Sequence, residues 1–252
     1  MVNSSEKNAR ALTNLGDGAP DTGCVAGVDG CRAGWIAVQL AAGGRTAASA
    51  IYPDWQTLAQ GLTHAARLCV DIPIGLVDQG ARPCDRAARA LLPRARKSSV
   101  FAAPRRYMLG LPYERVRAAA RDRGDAGLSI QAYNIMPKIA ELDRALTPAD
   151  QDRVLETHPE LAFHRLNAGA LLPRKADAAG QAARRRLLAA AGIADVDALL
   201  AAHRRKDAKA DDVLDAAVCA LVAQASLSGR ARRVPEGAPE RDRRGLRMEI
   251  WY

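Results

Sequence analysis

Residues 24–40 read CVAGVDGCRAGWIAVQL: an apolar run, the pair Asp29-Gly30, a turn as far as Gly34, then a second apolar run. That pattern predicts a β-hairpin. A third strand is expected in TAASAIY, residues 46–52, after the breaker Gly43-Gly44. Residues 54–67, DWQTLAQGLTHAAR, place apolar side chains at helical spacing behind Asp54 as N-cap. Residues 68–76, LCVDIPIGL, then read as an apolar strand stopped at Pro73. The order is β-β-β-α-β, a mixed α/β sheet that opens with a meander.

Working outward, residues 82–123 are arginine-rich and interrupted by Pro83, Pro93, Pro104 and Pro112. They predict a helical insertion of short helices and loops. SIQAYNIMPKIAELDRAL (129–146) is expected as a helix that Pro137 either kinks or starts. RVLETHPELAFHRL (153–166) opens as a strand, RVLET, and turns helical after Pro159. Residues 175–191 and 195–203 are helical by composition. DDVLDAAVCALVAQASL (211–227) is the strongest helix, and GLRMEIWY (245–252) alternates as a closing strand. We find no internal repeat, and expect a disordered tail over 1–22 and a single domain over 23–252.

Composition narrows the function. The chain is 48% apolar with only 4% aromatic residues, so Ala, Val, Leu and Ile must build the core and helices can approach the sheet closely. The five cysteines show no C-x-x-C pair, which fits free thiols in a reducing cytoplasm. The histidines (64, 158, 164 and 203) form no ligand pattern either. No signal-peptide core and no membrane-spanning run is present, which argues against export and insertion. The formal charge of +9 favours an anionic partner. Between Arg82 and Arg106 eight basic residues face one acid, Asp85, a local excess suited to a phosphate backbone.

The carboxylates carry the chemistry. Asp29 ends a buried strand, where an ionised carboxylate needs a partner, although Asp-Gly is also a common turn dipeptide. Asp71 interrupts the second apolar strand and is either a ligand or a turn cap. Asp212 and Asp215, three apart, share one face of the last helix, with Asp212 also suited to capping. Glu156 ends the strand RVLET. Such a cluster offers hard oxygen ligands to Mg²⁺ or Mn²⁺, and two ions about 4 Å apart can activate water against a phosphodiester. The carboxylates of Asp29, Asp71 and Asp212 or Asp215 should then converge within roughly 4 to 8 Å.

Taken together, GVDGCRAGW (27–35), DIPIGL (71–76), RPCDRAAR (82–89), SSVFAAPRR (98–106), ETHPE (156–160), DDVLDAA (211–217) and GLRMEIW (245–251) resemble domain-of-unknown-function family 429. The resemblance implies a ribonuclease-H-like nuclease fold, with Asp29 as first-strand acid, Asp71 as fourth-strand acid and Asp212 or Asp215 as last-helix acid. A phosphate or nucleic-acid contact is expected from Arg96, Lys97, Ser98, Ser99, Arg105 and Arg106, and Lys175 also resembles a family position suited to contacting phosphate. The expected activity is metal-dependent phosphodiester hydrolysis on DNA or RNA. Two alternatives stand beside it: a non-catalytic nucleic-acid-binding or scaffold protein, and an actin-like phosphotransferase. The latter ordinarily needs a second copy of the core, and no repeat or second Asp-Gly hairpin is seen.

Overall fold

The computed structural model describes residues 23–41 and 47–252. The expected tail over 1–22 and Thr46 of the third strand lie outside the described residues. Five strands form the central sheet: β1 (Val25–Cys31), β2 (Gly34–Leu40), β3 (Ala47–Tyr52), β4 (Arg67–Val70) and β5 (Val154–Glu156). Their spatial order is β3-β2-β1-β4-β5. The first three pair antiparallel, and β4 joins β1 in parallel, as does β5 with β4. This is the mixed sheet with flanking helices of a ribonuclease-H-like core.

Alternation of side chains divides the sheet into two faces. Ala26, Val28, Leu68, Val70 and Val154 face one core, covered by α1 (Trp55–Gly61) and α4 (Ile130–Ala145) through Leu58, Ile139 and Leu142. Asp54 caps α1 by accepting the Thr57 amide at 2.7 Å, as its position predicts. Pro137 lies inside α4 rather than at its start, which Ser129 sets by accepting the Ala132 amide at 3.1 Å.

Val25, Cys69 and Leu155 face the opposite core, with α5 (Pro159–Leu166), α6 (Ala178–Ala190), α7 (Val196–Ala201) and α8 (Ala210–Leu227). The arginine-rich insertion carries α2 (Pro83–Leu91) and α3 (Tyr113–Asp122). Alanines bring α8 directly onto β1. A Cβ at Gly27 would lie 2.0 Å from the Ala220 amide nitrogen and 2.1 Å from the Ala216 carbonyl oxygen, so only hydrogen fits there.

The closing segment departs from expectation. Leu246, Met248, Glu249 and Ile250 are all buried, but only β7 (Ile250–Trp251) is strand, paired with β6 (Arg233–Val234) in a two-stranded sheet. Side chains take the backbone donors that a longer strand would use. Asp242 accepts the Leu246 amide at 2.9 Å and Gln151 accepts the Arg247 amide at 2.6 Å.

Candidate metal centre

Asp29 and Asp71 meet because β1 and β4 run parallel in a defined register. Val28 stands opposite Val70, and the Asp71 amide donates to the Val28 carbonyl at 2.9 Å. The two aspartates are therefore side by side at the carboxyl ends of adjacent strands. Both belong to the face opposite Val28 and Val70, the face on which α8 packs. The close approach at Gly27 brings Asp215 of α8 to the same place. One oxygen of each of Asp29, Asp71 and Asp215 lies within 4.8 Å of the others, the convergence that the sequence predicts.

Burial and mutual repulsion act together on this group. Asp29 is pushed well above the usual carboxylate range, first by desolvation and then by the charges of Asp71, Asp215 and Asp212. Asp71 is raised to about 8, by desolvation first and then by Asp215. Asp215 is raised by desolvation, with Lys175 opposing the shift. The Lys175 ammonium donates to Asp215 Oδ2 at 2.8 Å. Three hard oxygen donors brought this close can hold a metal ion once they are deprotonated.

Two predicted members lie outside the converging trio and have other partners, although Glu156 lines the same cleft as Asp29 and Asp71. Asp212, expected to share the site with Asp215, sits in the first turn of α8 and folds back to accept the Lys209 amide at 2.8 Å. It influences Asp29 by charge but is not among the converging oxygens. Glu156 pairs with Val70 in the β4–β5 register, so strand alternation turns it to the face away from α8. There it accepts the Ile74 amide at 2.7 Å and Arg82 Nη1 at 2.8 Å. Arg82 also holds Asp85 at 2.6 Å, forming a buried acid–base–acid group. Burial raises Glu156 to about 7 even with Arg82 beside it.

A cleft of about 250 Å³ opens at the cluster, lined by Asp29, Asp71, Phe101, Asn134, Lys138, His158 and Lys175 among others. Of the basic and hydroxyl residues expected to contact phosphate, Lys175 alone lines it. Arg96 is occupied by the Leu172 carbonyl and Glu160, Arg106 by Asp143 and Asp242, and Arg105 is 2% exposed opposite Asp125. Ser99 donates to the Arg96 carbonyl at 2.7 Å. Lys97 and Ser98 are exposed and are not among the residues lining the cleft. Arg82, Arg96 and Arg106 are thus tied to carbonyls and acids elsewhere in the chain, while Arg86, Arg94 and Lys97 remain exposed.

The sequence did not single out His158 or Lys138. His158 Nε2 lies 3.2 Å from the Ser99 carbonyl, which makes this nitrogen the protonated one. Its buried Nδ1 has no protein partner, and burial lowers the pKa of the ring. The nearest signal was placement, two residues beyond the acid that ends β5. Lys138 donates to the Gly34 carbonyl and lies 4.4 Å from the centre of the Trp35 ring. Its chain passes over Gly30, where a Cβ would meet it at 2.5 Å.

A mixed sheet whose two parallel neighbours end in aspartate, joined by a third from a crossing helix, defines an α/β protein with a candidate metal centre. Among the described residues no helix is long and apolar enough to cross a membrane. Sequence comparison covers every quoted motif except GLRMEIW (245–251), which lies beyond the matched residues. The chain belongs to the DUF429 family, described as proteins of unknown function, whose model matches residues 27–240. Neither a curated protein nor a solved structure matches the chain.

Proposed function

We propose that this protein is a metal-dependent nuclease that hydrolyses phosphodiester bonds at the Asp29–Asp71–Asp215 cluster. The observation that carries the reading is the convergence of three carboxylate oxygens within 4.8 Å beside an open cleft. These residues would hold Mg²⁺ or Mn²⁺. When bound, the ion supplies Lewis-acid activation of water and of the phosphoryl group. The parallel strand ends set the spacing of Asp29 and Asp71, and the body of α8 sets that of Asp215, so the ligands need little rearrangement. Lys175 and His158 stand at the same cleft, one as a cation for a phosphate and the other with a free ring nitrogen for a polar hydrogen.

The test is cleavage of a panel of single- and double-stranded DNA and RNA with Mg²⁺, Mn²⁺ or EDTA. Wild type is expected to cleave at least one substrate only with metal. Asp29→Asn, Asp71→Asn and Asp215→Asn, folded by circular dichroism, are expected to lose at least about a hundredfold in rate. Activity that survives all three substitutions, or none with any substrate, overturns the proposal.

A further inference from the structure

We propose that Lys175 is a built-in cation of the carboxylate cluster, so that the site takes one divalent ion and admits a second only when the Lys175 ammonium is withdrawn. The inference rests on the metal reading of Asp29, Asp71 and Asp215 given above, and adds to it the stoichiometry and its control.

Charge and space both point this way. A metal binds the deprotonated carboxylates, which then carry three negative charges around oxygens that lie within 4.8 Å of one another. The ammonium of Lys175, 2.8 Å from Asp215 Oδ2, reduces that to two, which one divalent ion balances. A second ion would have to displace a cation already hydrogen-bonded to a carboxylate that is almost wholly buried, with a side chain 4% exposed. Its positive charge acts on all three aspartates. The other lysine at the cleft, Lys138, is committed to the Gly34 carbonyl and the Trp35 ring, and cannot substitute.

Lys175 is also placed to leave. It lies in the connection between α5 and α6, its neighbours Arg174 and Ala176 are exposed, and its own side chain is 51% exposed. The ammonium therefore reaches the cluster from the solvent side, along a path that does not cross the core. An anionic group entering the cleft could draw it off Asp215, exchanging one charged hydrogen bond for another.

Mn²⁺ binding measures this without reference to activity. By calorimetry and electron paramagnetic resonance, wild type is expected to bind one Mn²⁺ with the spectrum of an isolated ion. Lys175→Met is expected to bind two with a spin-coupled spectrum, and its first ion about tenfold tighter or more, since a nearby positive charge is gone. Lys175→Arg, which keeps the charge, should remain a one-ion protein. Two ions in wild type, or identical stoichiometry and affinity in wild type and Lys175→Met, would overturn the inference. If Asp29→Asn still abolishes binding in that case, the metal centre stands and only the role of Lys175 falls. If neither wild type nor Lys175→Met binds Mn²⁺, both readings fall together.

Discussion

Asp71 stands beside Asp29 because its own amide donates to the carbonyl of Val28, the residue just before Asp29, at 2.9 Å. A backbone hydrogen bond of the parallel ladder thus sets the distance between two like charges. The sheet, and not the aspartates themselves, supplies the force that holds them together.

Burial of these acids, reinforced by their repulsion, has a pH signature. An acid whose folded pKa is raised keeps its proton in the native state after the unfolded chain has released it. For Asp71, raised from 3.8 to about 8, metal-free stability should therefore fall as pH climbs from about 4 to 8. Asp29 and Asp215 shift in the same direction, whereas His158, lowered by burial, favours the folded state as pH rises through its range. Asp71→Asn isolates the carboxylate. In EDTA it should be more stable than wild type at pH 8 and nearly equal to it at pH 4, measured by thermal melts. Equal melting curves at pH 8 would contradict the proposed origin of the shift.

Metal should reverse that trend. Divalent ions bind the deprotonated carboxylates, so stabilisation by Mn²⁺ is expected to be larger at pH 8 than at pH 6 and absent in Asp215→Asn. Differential scanning fluorimetry across that range, with and without EDTA, is sufficient. A stabilisation independent of pH would place the ion elsewhere.

Gly27 tests the close approach of α8 to β1. Gly27→Ala puts a methyl group 2.0 Å from the Ala220 amide nitrogen and 2.1 Å from the Ala216 carbonyl oxygen. Both are backbone atoms of a helix, so the helix must move. We expect a loss of about 3 kcal/mol in denaturant unfolding and weaker Mn²⁺ binding, because the same shift carries Asp215 from its partners. A loss under about 0.5 kcal/mol would show that α8 moves freely on the sheet.

Asp212 and Asp215 should separate cleanly. Asp212→Ala removes the acceptor for the Lys209 amide and is expected to lower stability by about 1 kcal/mol while preserving Mn²⁺ stoichiometry. Asp215→Asn should abolish metal binding. Loss of binding in Asp212→Ala would return that residue to the site.

The buried Arg82 should behave as a structural hub. Arg82→Met leaves Asp85 and Glu156 enclosed without their cation, and a loss of about 3 to 5 kcal/mol is expected. Glu156→Gln, on the sheet face away from α8, should retain Mn²⁺ binding. Unfolding curves for the first and calorimetry for the second check the pair.

Read alone, the sequence determined what depends on local order. Alternating and continuous apolar runs defined β1, β2 and β4, Asp54 announced a helix start, and Asp29 and Asp71 stood out as charges ending buried strands. Those signals are local because strand alternation and helix caps are set within a few residues. The arginines were legible as charge but not as partners: Arg82 meets Glu156 seventy-four positions away and Arg106 meets Asp242 one hundred and thirty-six away. Only tertiary structure could decide that Arg82, Arg96 and Arg106 are tied to distant acids, that Glu156 lies on the sheet face opposite α8, and that His158 lines the cleft with a buried nitrogen free of protein partners. It also chose Asp215 over Asp212, since the choice depends on where α8 crosses Gly27, a contact between residues nearly two hundred apart. Local preference places a carboxylate on a strand or a helix; packing of that helix against the sheet decides which carboxylates share one ion.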